Sequence, residues 1–89
     1  MYITLLLILK NQTQGFMDYK KYIEIDPEVR FGKPCIKKTR ITVYDVLGWL
    51  AAGMTMEEIL EDYPALTRED IYACLAYSAD KERRVTITA

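Results

Sequence analysis

The sequence predicts a mainly α protein: a trihelical, helix-turn-helix-like bundle preceded by short extended or β segments. Apolar residues recur with helical spacing in three stretches after residue 42. Each stretch follows a threonine that has an acidic residue three positions later, which is a typical helix start. The connections between the stretches are short, as a helix-turn-helix requires. Because 89 residues can hold only one domain with a thin core, we expect a homodimer to cover leftover apolar surface.

Alternation and turn residues predict short extended segments before the helices. Residues 22–25 alternate in polarity and predict a strand that ends at the turn residues Asp26 and Pro27. Residues 29–31 and 35–36 predict two further extended pieces on either side of Gly32. We expect Gly32 to adopt a positive φ rather than to cradle a phosphate, because no second glycine or helix follows it.

The ends and buried faces of the three helices can be predicted from the same pattern. Gly53 is expected to end the first helix in a left-handed conformation, and Pro64 to stop the second. The predicted cap pairs are Thr42 with Asp45, Thr55 with Glu58, and Thr67 with Asp70. The predicted buried stripes are Val43, Val46, Leu47, Leu50 and Ala51, then Met56, Ile59, Leu60 and Tyr63, and finally Ile71, Tyr72, Leu75 and Ala79.

The two ends of the chain differ from this central domain, which we assign to residues 17–84. Residues 1–16 are interpreted as an N-terminal extension, an apolar strand followed by a polar linker. The apolar run is shorter than the ~20 residues that span a bilayer and lacks a signal-peptide pattern, so no membrane segment is expected. Residues 85–89 form a C-terminal tail, whose alternation predicts a short strand. The two distant cysteines favour a reducing, cytoplasmic location.

Charge is unevenly distributed, although the formal net charge is only -1. Residues 18–40 carry seven basic and four acidic side chains, whereas residues 41–80 carry eight acidic and one basic. The tail from residue 81 is basic again. A polyanion would therefore be attracted to the first segment and to the tail, and repelled by the helices.

An enzyme is not expected. The chain has no histidine, which removes Ser-His and Cys-His nucleophilic pairs, histidine bases and most zinc sites. The acidic pairs are adjacent in sequence, and neighbouring residues on a helix point about 100° apart rather than toward a shared site. We accordingly predict no catalytic residue, no cofactor and no metal site.

Several spaced motifs resemble a family catalogued as domain of unknown function 433. The matching residues are Gly32, Lys33 and Pro34, then Thr39, Arg40, Ile41 and Val43, Gly53, Tyr63 and Pro64, Leu66 and Thr67, Asp70 and Ile71, and the run through Tyr77. The resemblance covers about residues 20–80. It implies a compact helix-turn-helix-like domain and, for some members, an antitoxin paired with a PIN-like ribonuclease toxin in a type II system. The family usually has glycine before the Thr-Arg pair, where this chain has Lys38.

Two functions from different classes follow as hypotheses. A dimeric DNA-binding regulator would recognise operator DNA, with basic side chains on phosphates and the start of the third helix near the bases. The alternative for that helix start is that it packs a trihelical core and Asp70 only caps it. The candidate DNA-binding residues are Lys33, Lys37, Lys38, Thr39, Arg40, Thr67, Arg68, Arg83 and Arg84.

Two of these residues have an equally plain structural explanation. Arg40 would either contact a ligand or pair with a carboxylate such as Asp45 or Glu58. Thr39 would either contact a ligand or hydrogen-bond the backbone that leads into the first helix.

The second hypothesis is a protein-interaction module. Acidic helix residues would cover the nucleic-acid-binding surface of a ribonuclease toxin by imitating its polyanionic substrate. The candidate partner-binding residues are Glu57, Glu61, Asp62 and Glu69. An antitoxin can perform both functions through different surfaces, and a third interpretation is an interaction domain whose partner is unrelated to either.

Overall fold

A small hairpin and three helices make up the described part of the chain. The computed structural model describes the backbone of residues 17–86 and the side chains of residues 17–83. The strands are β1 (Ile23–Glu24) and β2 (Cys35–Ile36), and the helices are α1 (Val43–Ala51), α2 (Met56–Asp62) and α3 (Arg68–Thr86). Short 3-10 turns occupy Tyr19–Lys21 and Arg30–Gly32. The predicted fold class is confirmed, whereas the predicted extension over residues 1–16 and residues 87–89 lie outside the described residues.

The hairpin joins directly onto the first helix. β1 and β2 are antiparallel, with Ile23 opposite Ile36 and Glu24 opposite Cys35. An isolated bridge then pairs Cys35 with Thr42, the residue that caps α1. β2 therefore pairs with β1 on one side and with Thr42 on the other. The basic segment between residues 36 and 41 connects β2 to this bridge at Thr42.

All three helices begin with the predicted capping boxes. In each box the threonine hydroxyl accepts a backbone N–H and the acidic side chain accepts the N–H of the threonine. Gly53 has a φ of +98° and follows α1, as predicted. The paired N···O distances are 2.9 and 3.0 Å for Thr42 with Asp45, 3.1 and 2.9 Å for Thr55 with Glu58, and 3.2 and 2.9 Å for Thr67 with Asp70.

The core draws side chains from both strands and from all three helices. Ile36 of β2, Val46 of α1, Ile59 of α2, and Ile71 and Cys74 of α3 are at most 2% exposed. Each buried aliphatic side chain stabilises the fold by about 1.5 to 3 kcal/mol. The first 3-10 turn is anchored to the same core, since the Tyr19 hydroxyl donates to the buried Asp80 carboxylate of α3.

The predicted buried face of α3 is wrong. Ile71 is buried as expected, but Tyr72 is 48% exposed and Leu75 is 42% exposed. Ala79 is also exposed, whereas Ala73 and Cys74 are fully buried. The apolar residues of α3 surround most of the helix, so periodicity alone did not decide which side faces the core.

Three smaller predictions are also corrected. Residues 30 and 31, predicted as extended, belong to a 3-10 turn and have positive φ. Ala51, predicted as buried, is exposed at the end of α1. Residues 85 and 86, predicted as part of a strand, continue α3. Within the described residues, no helix combines the length and the apolar character needed to cross a membrane.

Candidate nucleic-acid interface

A tight turn at residues 37–40, here called the basic turn, presents three cationic side chains together. Lys37, Lys38 and Arg40 are all exposed, and Lys33 is exposed on the preceding loop. Among residues 17–83, none of these four cations forms an ion pair with a carboxylate. Their charges are therefore available to a polyanion without first breaking a contact within the chain.

Hydrogen bonds to Thr39 fix the shape of the basic turn. The Thr39 hydroxyl donates to the Ile36 carbonyl at 2.8 Å and accepts the N–H of Ile41 at 3.0 Å. The backbone N–H of Lys37 also bonds the Tyr22 carbonyl at 2.8 Å. These bonds correspond to the structural role considered for Thr39, which is to hydrogen-bond the backbone that leads into the first helix. The turn is thus a preorganised carrier of its lysine and arginine side chains.

Lys38 occupies the left-handed position of the basic turn. Its φ is +65°, a conformation that glycine adopts at little cost and that lysine adopts with strain. This is the position at which the resembled family usually has glycine. The backbone therefore still makes the turn, and the substitution adds one exposed charge to it.

The pairing considered for Arg40 is not formed. Arg30, not Arg40, contacts the Asp45 carboxylate, with an N···O distance of 3.3 Å. The same Arg30 guanidinium donates to the Arg40 carbonyl at 2.8 Å. The Glu58 carboxylate, the other partner considered, accepts the Thr55 N–H instead. The Arg40 guanidinium is left at the surface while its backbone is held.

Asp45 is the acidic anchor beneath this surface. Burial by itself raises the pKa of Asp45, but hydrogen bonds from the Thr42 backbone and hydroxyl and the nearby Arg30 charge outweigh it, so the pKa is lowered overall. Asp45 therefore stays ionised at neutral pH and satisfies Arg30. Arg30 therefore has a structural role. Because its charge is paired with Asp45, we do not count it with the cations of the basic turn, which form no ion pair within residues 17–83.

An exposed phenylalanine lies on the loop that Arg30 anchors. Phe31 is 97% exposed and has a φ of +61°, between Arg30 at +49° and Gly32 at +79°. Two successive non-glycine residues in this region are strained, and such strain concentrates at binding sites. Sequence reasoning missed Phe31 as a site residue, although its place directly before Gly32, Lys33 and Pro34 was the available signal.

A groove runs from this loop to α3. Its volume is about 340 Å³, and it lies between the start of α1 and the second half of α3. Lys33 and Lys81 both line it, and the Lys81 ammonium lies 5.3 Å from the centre of the Tyr77 ring. Tyr44, another lining residue, is 77% exposed. The groove therefore combines aromatic walls with cations, and sequence reasoning had not included Tyr44, Tyr77 or Lys81.

The other predicted DNA contacts are less available. Arg68 at the start of α3 pairs with Glu57 of α2 at 3.0 Å, and Arg83 pairs with the buried Asp80 at 3.1 Å. Thr67 uses its hydroxyl in the α3 capping box. The side chain of Arg84 lies outside the described residues. Lys33, Lys37, Lys38 and Arg40 thus lie within one short stretch of the chain without ion pairs to the described side chains, whereas Arg68 and Arg83 of α3 are already in ion pairs.

Three of the four acidic candidates lie on α2, and the fourth, Glu69, lies in the first turn of α3. Glu57, Glu61, Asp62 and Glu69 are all exposed. Glu57 is the one that pairs with Arg68, and the hydrogen bond within its own residue and that pair lower its pKa. The acidic surface is therefore partly compensated by the same arginine that was predicted to contact DNA.

A hairpin bearing a cationic turn, followed by three capped helices, defines the class of small helix-turn-helix-like domains. The profile of the family described as "Protein of unknown function (DUF433)" matches residues 23–78, and the chain belongs to that family. A crystal structure of a DUF433 member from Anabaena variabilis ATCC 29413 is similar to this chain, with a TM-score of 0.67 and 28% identity. The similarity covers 96% of this chain and 81% of the Anabaena chain.

One curated protein also matches. "Uncharacterized protein y4eO" of Sinorhizobium fredii (strain NBRC 101917 / NGR234) is 34% identical over 59 residues. The match covers 66% of this chain but 27% of y4eO, so this chain spans about a quarter of the length of that relative.

Proposed function

We propose that this protein is an antitoxin-like DNA-binding module that contacts duplex phosphates through Lys33 and the basic turn. The observation that carries the proposal is the exposure of four cations without ion pairs among residues 17–83, Lys33 on the loop before β2 and three on the hydrogen-bonded basic turn. Such cations supply most of the salt-dependent affinity of a DNA-binding protein. Because hydrogen bonds hold the turn, little conformational entropy is lost on binding.

This proposal differs from the usual helix-turn-helix contact. A recognition helix normally presents its first residues to the major groove. In α3 these residues include Glu69 and Asp70, whose carboxylates would repel phosphates, and Arg68, which already forms an ion pair with Glu57. We therefore assign the first contact to the basic turn and not to the start of α3.

Two single-arginine variants test this assignment. Full-length protein is titrated against a duplex of its own upstream DNA and an unrelated duplex by fluorescence anisotropy at two salt concentrations. We expect Arg40→Gln to raise the dissociation constant about tenfold and to lower the salt slope by about one. Arg68→Gln removes the same charge elsewhere and is expected to change affinity less than about twofold. The two variants are compared at protein concentrations at which light scattering gives them the same molar mass.

Each alternative result has a definite meaning. A larger loss for Arg68→Gln than for Arg40→Gln would return the contact to α3. Absence of binding to either duplex would overturn the DNA-binding proposal.

A specific observation supports the second candidate function, which is binding to a basic protein partner. Glu61, Asp62 and Glu69 are exposed and have no cationic partner among residues 17–83. They would be the contact surface for a basic partner, of which a PIN-like ribonuclease toxin is the proposed example.

A further inference from the structure

We propose that the outer face of α3 binds a second copy of this chain in an antiparallel orientation. The outer face comprises the exposed residues Tyr72, Leu75 and Ala79, the half-buried Ala76, and a charged residue pair at each end. Tyr72, Leu75 and Ala79 were predicted to be buried, and the structure leaves all three exposed, with Tyr72 48% and Leu75 42% accessible. Cys74 and Ala73, which are fully buried, mark the opposite side of the helix.

The residues of this face form three rows along the helix. Arg68, Leu75 and Glu82 follow one another at seven-residue spacing on one edge, and Glu69, Ala76 and Arg83 do so on the other. Tyr72 and Ala79 lie between the two edges. Seven-residue repeats keep side chains in line over two turns of a helix, which is the pattern that a packed pair of helices uses.

The charges at the two ends make the face complementary to itself when it is inverted. A two-fold axis between Leu75 and Ala76 would bring Arg68 opposite Glu82 of the second copy on one edge. On the other edge it would bring Glu69 opposite Arg83 of the second copy. Symmetry repeats each contact, so every charged residue at the ends of this face meets the opposite sign.

Size complementarity follows the same axis. Tyr72, the largest side chain in the central row, would pack on Ala79 of the second copy. Leu75 would meet Leu75, and Ala76 would meet Ala76, whose small side chains allow close approach of the helices. Large residues thus oppose small ones away from the axis, as interdigitated helix packing requires.

Both arginines of the outer face already form ion pairs and still lie largely at the surface. Arg68 pairs with Glu57 and Arg83 with Asp80, and the two arginine side chains are 50% and 67% exposed. The proposed contacts would therefore add to these pairs at solvent-accessible side chains.

A charge-exchange experiment tests the orientation as well as the contact. Light scattering and sedimentation equilibrium are measured over a concentration series of the full chain. Glu69→Arg alone places arginines opposite each other in both contacts of that edge, and Arg83→Glu alone places glutamates opposite each other. We expect each variant by itself to dissociate at least roughly tenfold more readily than the parent chain. An equimolar mixture should restore the dimer, because only the heterodimer pairs arginine with glutamate at both contacts.

A second pair of variants keeps the proposal testable if a charge variant folds poorly. Leu75→Lys should weaken the dimer at least roughly tenfold, because it places two lysines at the two-fold axis. Ile25→Lys is the matched control, an apolar residue that is 59% exposed on the loop after β1 and is not part of the outer face of α3. Circular dichroism checks that every variant is folded. A monomeric parent chain at all concentrations, equal effects of Leu75→Lys and Ile25→Lys, or no recovery in the mixture would each overturn the proposal.

Discussion

Single residues decide how the basic turn is built and what it can contact. Thr39 binds the backbone on both sides of the turn, and Arg30 binds the Arg40 carbonyl from outside it. These contacts involve main-chain atoms, so they leave the Lys37 and Arg40 side chains at the surface. Thr39 and Arg30 therefore hold the backbone of the basic turn, whereas Lys37 and Arg40 supply its exposed charge.

Lys38 gives the clearest prediction at this scale. Because its φ is +65°, Lys38→Gly should relieve left-handed strain and stabilise the protein by about 0.5 to 1 kcal/mol. Lys37→Gly is the matched control, since Lys37 is the adjacent lysine, is exposed and does not have a positive φ. That control should destabilise the protein by a similar amount, because glycine loses more entropy on folding. Urea unfolding midpoints measure both, and equal shifts in the same direction would contradict the assignment.

The sequence predicted the charged residues of the candidate site but not their partners. Residue type alone identified Lys33, Lys37, Lys38 and Arg40, because charge is a local property. Whether an arginine is free or paired depends on which carboxylate the fold brings near it, and Arg30 rather than Arg40 reached Asp45. The exposure of Phe31 could not be deduced for the same reason, since a lone aromatic residue is usually part of a core.

At the scale of elements, helix starts were predicted well and helix faces less well. A capping box is local, so Thr42, Thr55 and Thr67 were sufficient to locate three helix starts. The buried face of α3 depends on how α1 and α2 pack against it. Its sequence offers apolar residues on both sides, and the structure buries Cys74 while exposing Leu75.

The start of α1 should show a pH-dependent contribution from Asp45. Its pKa is lowered from the ordinary value of 3.8, so its ionised form stabilises the native state above that pH and the contribution disappears as pH falls through the lowered pKa. Asp45→Asn should therefore cost about 1 kcal/mol at neutral pH, and this cost should decrease as the pH falls below 3.8. Urea unfolding of both proteins over a series of pH values measures this dependence.

The matched control for Asp45 is a carboxylate that caps nothing. Asp62 is exposed at the last position of α2, where a negative charge is not favoured by the helix dipole. Asp62→Asn should be neutral or slightly stabilising at neutral pH. A loss of stability equal to that of Asp45→Asn would show that general charge, and not the capping contact, is responsible.

At the scale of the whole molecule, a thin core connects the hairpin half, which includes the basic turn, with the helical half. β2 contributes Cys35 and Ile36 to the buried set, and α3 contributes Ile71 and Cys74. The first 3-10 turn adds the Tyr19 contact to Asp80 at the far end of α3. The hairpin that carries the basic turn is therefore fixed to α3 by the same residues that close the core, and we expect the two halves to unfold together.

The two cysteines report on this cooperativity from opposite halves of the protein. Cys35 is 2% exposed in β2 and Cys74 is fully buried in α3. Burial raises the pKa of both thiols, to about 12 for Cys74, which lowers the fraction of reactive thiolate at pH 8 in the native state. We expect iodoacetamide to modify both cysteines at the same slow rate, set by global unfolding, and quickly in denaturing urea.

Peptide mass spectrometry after timed quenching measures the two sites in the same sample, so each is the control for the other. Faster modification of Cys35 would mean that the hairpin opens without α3, and the basic turn would then be a mobile element rather than part of a rigid surface.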